Sequence, residues 1–471
     1  MKRKIYRNWP LLLAVALGSV SALPVMGREP QSGPVTSPLT PSRSPSEGER
    51  VPVNAGVGKA GGSPGVHGSG PLTLEGAIRL ALESNPQLRA ADSQISSAAG
   101  RAYQSKLWSN PELELSAEDW PTGGGGFTDA KKLIGVSQTV PFPGKKKLDS
   151  RIGSLGVRVS QAEYGAQRVE LVREVKTAFF EVLAAGRLVG VARELVAVSE
   201  SSATTARKRV QAGAAADQEQ LRAEIPLEEA RTELAGFERE QEIARQKLAM
   251  LLGHPDLQAA PVSGALAETG DLSLLKDGPA RWLARHPSVV AAQANKERTE
   301  VENRRARLEP YPDVKLGAAG GQDAGGGGSI VQFTVSVPVP IIDRSKGRKQ
   351  EAQANVSVAE SELAAVEHRL LRDWGMASQR LRTAVEQVAN YRERILPKAT
   401  EALRLLQRGF EEGKFGFIDL LDTQRTAAQV RLAYQHKLLE LNVAQAEIEA
   451  LVTRTSSEAK SIEPNYPATK E

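Results

Sequence analysis

The stretch Val140-Pro141-Phe142-Pro143, followed by Gly144 and the lysines Lys145, Lys146 and Lys147, returns 197 residues later as Val337-Pro338-Val339-Pro340. The match extends in both directions. Asn85-Pro86 and Asn110-Pro111 stand 25 residues apart, and His286-Pro287 and Tyr311-Pro312 repeat that spacing at a displacement of 201. Further on, Gly213 and Leu221 return as Gly413 and Leu421, displaced by 200. Solenoid units run at roughly 20–50 residues, so this is a duplicated half-protein. The halves fall at about 72–270 and 271–455. Each reads as a helix, two short strands, a very long helix, a turn and a long helix.

The strands are expected at about 112–140 and 314–339. Leu113, Leu115 and Ala117 alternate with Glu112, Glu114, Ser116 and Glu118, and glycines at 123–126 make a turn. Ile134, Val136 and Val140 then alternate less cleanly with Gly135, Ser137 and Thr139. In the second half Val314, Leu316 and Ala318 lead to glycines at 325–328, and Val331, Phe333, Val335 and Val337 follow at period two. One apolar face per strand is the strand signature. The length suits a tilted membrane strand, and equally a small sheet half buried on helices.

The helices favour the membrane reading. No proline occurs at 145–224 or 341–396, and both runs begin after a Pro-x-Pro pair, whose fixed φ angles end the strand and aim the chain. A helix over 148–211 would be roughly 95 Å long, a rod that a globular domain does not need. Val169, Val172, Val175, Ala178 and Phe179 recur at the spacing of a coiled-coil seam. Gly213 and Gly413 permit reversals, and Pro397 predicts a kink. Thr73 is placed to cap the first helix.

Composition agrees. Aromatics make up only 4% of 471 residues, as in packed long helices. There is no cysteine, which removes disulfides and thiolate metal sites. Lys2, Arg3, Lys4 and Arg7 carry four of the five net positive charges, so the rest of the chain has no nucleic-acid footprint. That basic start, the apolar run at 11–20 and the small residues after it predict a secretory signal at 1–22, or to 27 with the other cleavage site. No cysteine follows for lipidation. Pro, Gly and Ser dominate 23–71, a linker composition, and 456–471 reads as a loose tail. The five histidines are scattered, and neither glycine run carries the Lys-Ser/Thr of a phosphate loop. The chain therefore reads as no enzyme, with no cofactor and no bound metal.

Four strands cannot close a barrel, and an open sheet edge is not tolerated in lipid. Three copies would supply twelve strands and bring six helical hairpins around one axis. The expectation is a homotrimer, mainly α, with a small membrane β-barrel above a coiled-coil tunnel.

At this point the chain resembles the TolC-like outer membrane efflux proteins, over about 72–453. The resemblance rests on the duplicated halves, the Asn-Pro and Tyr-Pro positions before the strands, and Gly413-Lys-Phe-Gly-Phe-Ile-Asp-Leu-Leu-Asp-Thr-Gln424. Asn110-Pro-Glu-Leu and the Pro-Gly-Lys-Lys-Lys run look most like the CzcC-type cation-efflux branch. The resemblance implies a passive exit duct in the outer membrane. A periplasmic adaptor and an RND-type inner-membrane pump would dock at its helical tips, near Gly213 and Gly413. It also implies that Asp419 and Asp422 line the periplasmic entrance. Their i, i+3 spacing shares one helix face, and threefold symmetry would stack them as acidic rings. By themselves the two acids fit a solvated face or a helix-dipole partner better; the resemblance is what favours the rings. Where some members carry an arginine that locks the entrance, this chain has Phe415.

The basic groups Lys145–Lys147, Arg344, Lys346, Arg348 and Lys349 are expected at the membrane rim. Trp108, Trp120, Phe127 and Phe142 are expected as interfacial aromatics, with core packing the alternative, above all for Trp108. Two rival classes need different parts. A periplasmic adaptor would match one half only. A trimeric coiled-coil adhesin would need no duplicated strand pairs. Within the channel class, multidrug efflux and type I secretion share the same duct.

Overall fold

The structure, a computed structural model, describes residues 71–119, 129–276, 278–412 and 414–452. The expected signal segment, the linker except its last residue, the tail, the turn at 123–126, Trp120, Phe127 and Gly413 lie outside the described residues.

The duplicated X-Pro pairs turn out to be helix starts and strand approaches. Helix α1 (Leu74–Ser84) begins at Thr73, whose hydroxyl accepts from the Gly76 amide. Helix α2 (Pro86–Lys106) begins at Asn85, whose Oδ1 accepts from the Gln87 and Leu88 amides. Its counterpart α6 (Pro287–Arg307) follows a single turn, α5 (Pro279–Trp282), and begins at His286, whose Nδ1 accepts from Ser288. Proline at the first helical position costs no hydrogen bond there. Burial pushes the His286 imidazole down, which favours the neutral ring, the form in which Nδ1 can accept. Asn110-Pro111 and Tyr311-Pro312 lead into strands β1 (Glu112–Glu118) and β3 (Val314–Gln322).

With β2 (Lys131–Val140) and β4 (Ser329–Ser336) these strands form one antiparallel sheet in the order β1-β2-β3-β4. The register aligns Leu113 with Val136, Leu115 with Ile134, Ala318 with Phe333 and Leu316 with Val335. One continuous apolar face results, and its large side chains are exposed. The opposite face is polar and small. Glu112 and Glu114 close on Lys315 at 2.8 and 2.7 Å, and Ser137 donates to Glu114. Leu133 sits buried on this polar face across from Gly321. A Cβ on Gly321 would lie 1.7 Å from the Lys132 carbonyl oxygen, so only glycine allows strands this close.

Helix α3 (Lys145–Gln211) follows directly from Pro141-Phe142-Pro143 and the left-handed Gly144, with 67 residues, about 100 Å. Helix α4 (Asp217–Leu251) returns beside it. In the second half, α7 (Lys346–Asn390) does not start right after Pro338 and Pro340. The chain first turns through Asp343, whose carboxylate accepts from the Ser345 amide, and through Ser345 at φ 54°. The strand likewise stops at Ser336, so Val337 and Val339 lie in the connection. The kink expected at Pro397 takes the form of one wide π turn at Tyr391–Ile395 between α7 and α8 (Leu396–Glu411). The wider turn accommodates a residue with no N–H and a ring that crowds the preceding turn. Helix α9 (Phe417–Val452) completes the second hairpin. Among the described residues, no helix is long and apolar enough to cross a membrane.

The main core packs α7 and α9 through Leu381, Val388, Leu438, Leu441 and Ile448, sealed by Leu266 and Trp282. A second cluster seats Ala77, Leu80 and Ala81 of α1 on Val175, Phe179 and Leu252. Asn442, buried on α9, exchanges two 3.0 Å hydrogen bonds with the backbone of Ala267.

The strand-to-helix junction is pinned by a buried lysine. Lys145 is not a rim cation: its Nζ lies 2.8 Å from Asp313, with the side chain 6% exposed. The Phe142 amide donates to the same carboxylate at 2.7 Å. Phe142 stacks on Tyr311, so its ring belongs to this junction. Arg305 bridges Asp149 and Glu309, and Arg348 closes on Glu309 at 2.7 Å. Burial works to raise the Asp313 carboxyl. The bonds from Lys145 and Phe142, with the charges of Lys145 and Arg305, outweigh it and hold the group below the usual aspartate value.

Asp313→Ala leaves Lys145 buried without its partner. The expected cost is about 3 kcal/mol, the low end for a broken buried pair because Asp313 is partly open to solvent. The folded value of Asp313 lies below its unfolded one, so its contribution is complete above about pH 4 and fades as pH falls through the lowered folded value. Melts by circular dichroism across that range check both: the variant is less stable at neutral pH and loses this part of the acid dependence.

Candidate functional site at the hairpin tips

The two halves also meet at the far ends of the helices. Helix α3 ends in a paired reversal: the Gly213 amide donates to Val210 at 2.9 Å and the Ala214 amide to Arg209 at 2.8 Å. Gly213 has φ 69° with open space around it, the left-handed position that favours glycine. In the second half the Lys414 amide donates to Gly409 at 2.8 Å. That is the Ala214 bond displaced by 200 residues; Gly413 itself lies outside the described residues.

The tips pack through an aromatic plug. Phe417 is buried among Ala203, Ala206, Ala223 and Leu227 of the first hairpin. Phe410 tilts against Phe417 at 5.7 Å, and Arg209 lies 5.9 Å over the Phe410 ring while pairing with Glu219. Ser202 donates to Gln424, and Arg431 meets Glu194 at 3.2 Å. Small residues on α3 and α4 admit the ring; alanine's short side chain makes the pocket.

Asp419 and Asp422 are both exposed. At about 100° per residue they lie roughly opposite the side of α9 that buries Phe417 and Leu420. Asp419 Oδ2 accepts from the Gly416 amide at 3.2 Å, so it satisfies a free N–H at the helix start and complements the dipole there. That bond engages one of the two carboxylate oxygens at the helix start. Asp422 makes no ion pair among the described residues. Phe415 folds onto Gly409: a Cβ on Gly409 would stand 2.3 Å from its ring. The available signal for that contact was Gly409 itself, a helix-interior glycine whose first-half counterpart is Arg209. Pro141, Pro143, Pro338 and Pro340 lie at the other end of the helices, in the connections that follow β2 and β4. Among the described residues, no group of three or more His, Cys, Asp or Glu is arranged to hold a metal ion.

A sheet apolar on one face and polar on the other, joined to a helical rod about 100 Å long with a shorter helix returning beside it, defines a class: outer-membrane channels in which a strand barrel continues into a helical conduit. The chain belongs to the Outer membrane efflux protein family, which it matches over residues 77–254 and 279–453. It is 29% identical to the cobalt-zinc-cadmium resistance protein CzcC of Cupriavidus metallidurans, across 82% of this chain and 91% of that protein. It is 28% identical to outer membrane protein OprJ of Pseudomonas aeruginosa, across 57% of this chain and 58% of the relative. Its fold superposes on the CmeC outer membrane channel of Campylobacter jejuni with a TM-score of 0.73 at 14% identity, covering 82% of this chain and 88% of that one. The family consists of efflux channels and not of enzymes.

Replacing Gly213 by alanine strains the reversal without a steric clash. The expected loss is about 1 kcal/mol, confined to the tip. Hydrogen exchange should quicken at the last turn of α3 and at Ala214 while the global melting midpoint stays in place.

Proposed function

We propose that this outer membrane efflux channel is the passive exit duct of a tripartite assembly for divalent metal cations. It works as a homotrimer. A periplasmic adaptor seats on the hairpin tips near Gly213 and Gly413, and an RND-type inner-membrane pump drives the cargo. The observation that carries the reading is the pair of exposed carboxylates, Asp419 and Asp422, on the side of α9 turned away from the first hairpin. In a threefold assembly they form two acidic rings at the periplasmic mouth, which attract cations and repel anions. A channel needs no high-affinity site, because cargo that is held does not leave. The cargo class is supported by the relative named for cobalt, zinc and cadmium resistance, which aligns along nearly its whole length.

Single-channel recording in a planar bilayer tests the rings. The unmodified protein should give small, cation-selective openings blocked by Zn2+ or Co2+. In Asp419→Asn/Asp422→Asn the half-blocking concentration should rise on the order of tenfold, equivalent to ~1.4 kcal/mol of lost attraction. Asparagine keeps the acceptor that caps Gly416, so the helix start stays intact. Unchanged block in a folded variant would remove both residues from the mouth.

Cargo is read separately. In a host lacking its own channel, expression beside a cation pump and its adaptor should restore growth on zinc or cobalt. Restoration only of resistance to organic drugs, or of protein secretion beside an ABC exporter, would replace the metal reading and leave the channel intact.

A further inference from the structure

Within the chain, the exit from β2 is clasped to the approach to β3. Phe142 stacks on Tyr311 at 4.8 Å, its amide donates to Asp313, and Lys145, the first residue of α3, closes on the same carboxylate. The duplication supplies a counterpart for each part. β4 leaves through residues 337–342, a strap on which Val337, Val339, Ile341 and Ile342 are all exposed, Ile342 at 99%. Lys346 opens α7 as Lys145 opens α3, but it is exposed. At the opposite edge of the sheet, the approach to β1 exposes Leu107 and Trp108. Glu112 there occupies the place that Asp313 holds 201 residues later. The two sets cannot meet in one chain, because β1 and β4 stand three strand spacings apart, roughly 14 Å.

We infer that the strap at 337–342, together with Lys346, clasps the approach to β1 at 107–112 of the next copy, and that this contact sets the β4–β1 register of the closed barrel. The inference rests on the trimeric reading given above. Its register follows from the repeat alone. Val140 stands opposite Val314 within the chain, and the displacements of 197 and 201 carry this to Val337 opposite Leu113 of the next copy. Val335 then faces Leu115, and Phe333 faces Ala117. The in-chain pairings place Val335, Phe333, Leu113, Leu115 and Ala117 on the apolar side of the sheet, and Val337 continues the alternation. A slip of one residue would turn that row to the polar side. The register derived from the repeat therefore agrees with a face pattern that was not used to derive it. On the polar side, Ser336 comes opposite Glu114 and Thr334 opposite Ser116. The strap's exposed apolar side chains gain a cover in Leu107 and Trp108, and Lys346 joins Lys315 at the Glu112 carboxylate.

The chain has no cysteine, which gives the test a clean background. The Phe142 amide reaches the Asp313 carboxylate at 2.7 Å, just beyond the paired rung of Val140 and Val314, so the inferred clasp puts the equivalent pair, Val339 and Glu112 of the next copy, side by side, where thiols within ~7 Å Cα separation can join. Mild oxidation of purified Glu112→Cys/Val339→Cys should give linked dimers and trimers on a non-reducing gel, reversed by reductant, while each single variant stays unlinked. Protein that is trimeric by light scattering yet forms no link overturns the clasp and leaves the trimer standing. Folded protein that is not trimeric overturns both. Ala117→Cys/Val339→Cys places the thiols at opposite ends of the strands, and equal linking there would also overturn the clasp.

Discussion

The backbone of an edge strand cannot be left unpaired in hydrocarbon, and the rest of the molecule is arranged around that constraint. Each orphaned N–H or C=O in lipid costs several kcal/mol. Here β1 and β4 both end the sheet, so one chain is half of a statement that only other copies complete. The apolar face explains why the sheet belongs in lipid; the two open edges explain why it cannot be there alone. Neither property needs any particular side chain to perform chemistry. The helices answer a different requirement, span, and do so with small buried residues such as Ala178, Ala203 and Ala206 that let long rods lie close.

Joining a sheet to such rods concentrates force at a few residues. Lys145 and Asp313 come from different halves of the duplicated sequence, and their ion pair binds the start of α3 to the start of β3. The network from Asp149 through Arg305 and Glu309 to Arg348 extends this across α3, α6 and α7. Charges that a linear reading assigns to the membrane surface are thus partly consumed in holding the two halves in register. A run of lysines says how many cations are present, and only the fold says which of them face a carboxylate.

Much of the architecture was legible in advance. The repeat gave the order of elements, period two gave the strands, and Thr73 gave the first cap, because each is a local or self-referential signal. Three things were not. The late start of α7 depends on a left-handed Ser345, which no propensity favours. The π turn depends on how Pro397 is accommodated once the helix is already packed. The burial of Lys145 depends on Asp313, 168 residues away. At the tips, the i, i+3 acids were visible as a pair, and the exposed side of α9 was not, because it is defined by where Phe417 finds its pocket. Asp419's bond to the Gly416 amide likewise depends on how the chain enters α9.

The wide turn at Tyr391–Ile395 has a geometric effect on the far end of its hairpin. A π turn takes up about one extra residue, or ~100° of helical phase, without interrupting the rod. The face that α8 shows at the tip is thereby uncoupled from the face that α7 packs at its base. The first hairpin has a continuous α3 and no such adjustment. Two hairpins copied from one ancestor can therefore point different surfaces at whatever meets them. A ring built from three such chains would carry alternating, non-equivalent teeth at its mouth even where its barrel is close to sixfold, much as a gear can be re-cut at the rim while the hub stays as it was cast.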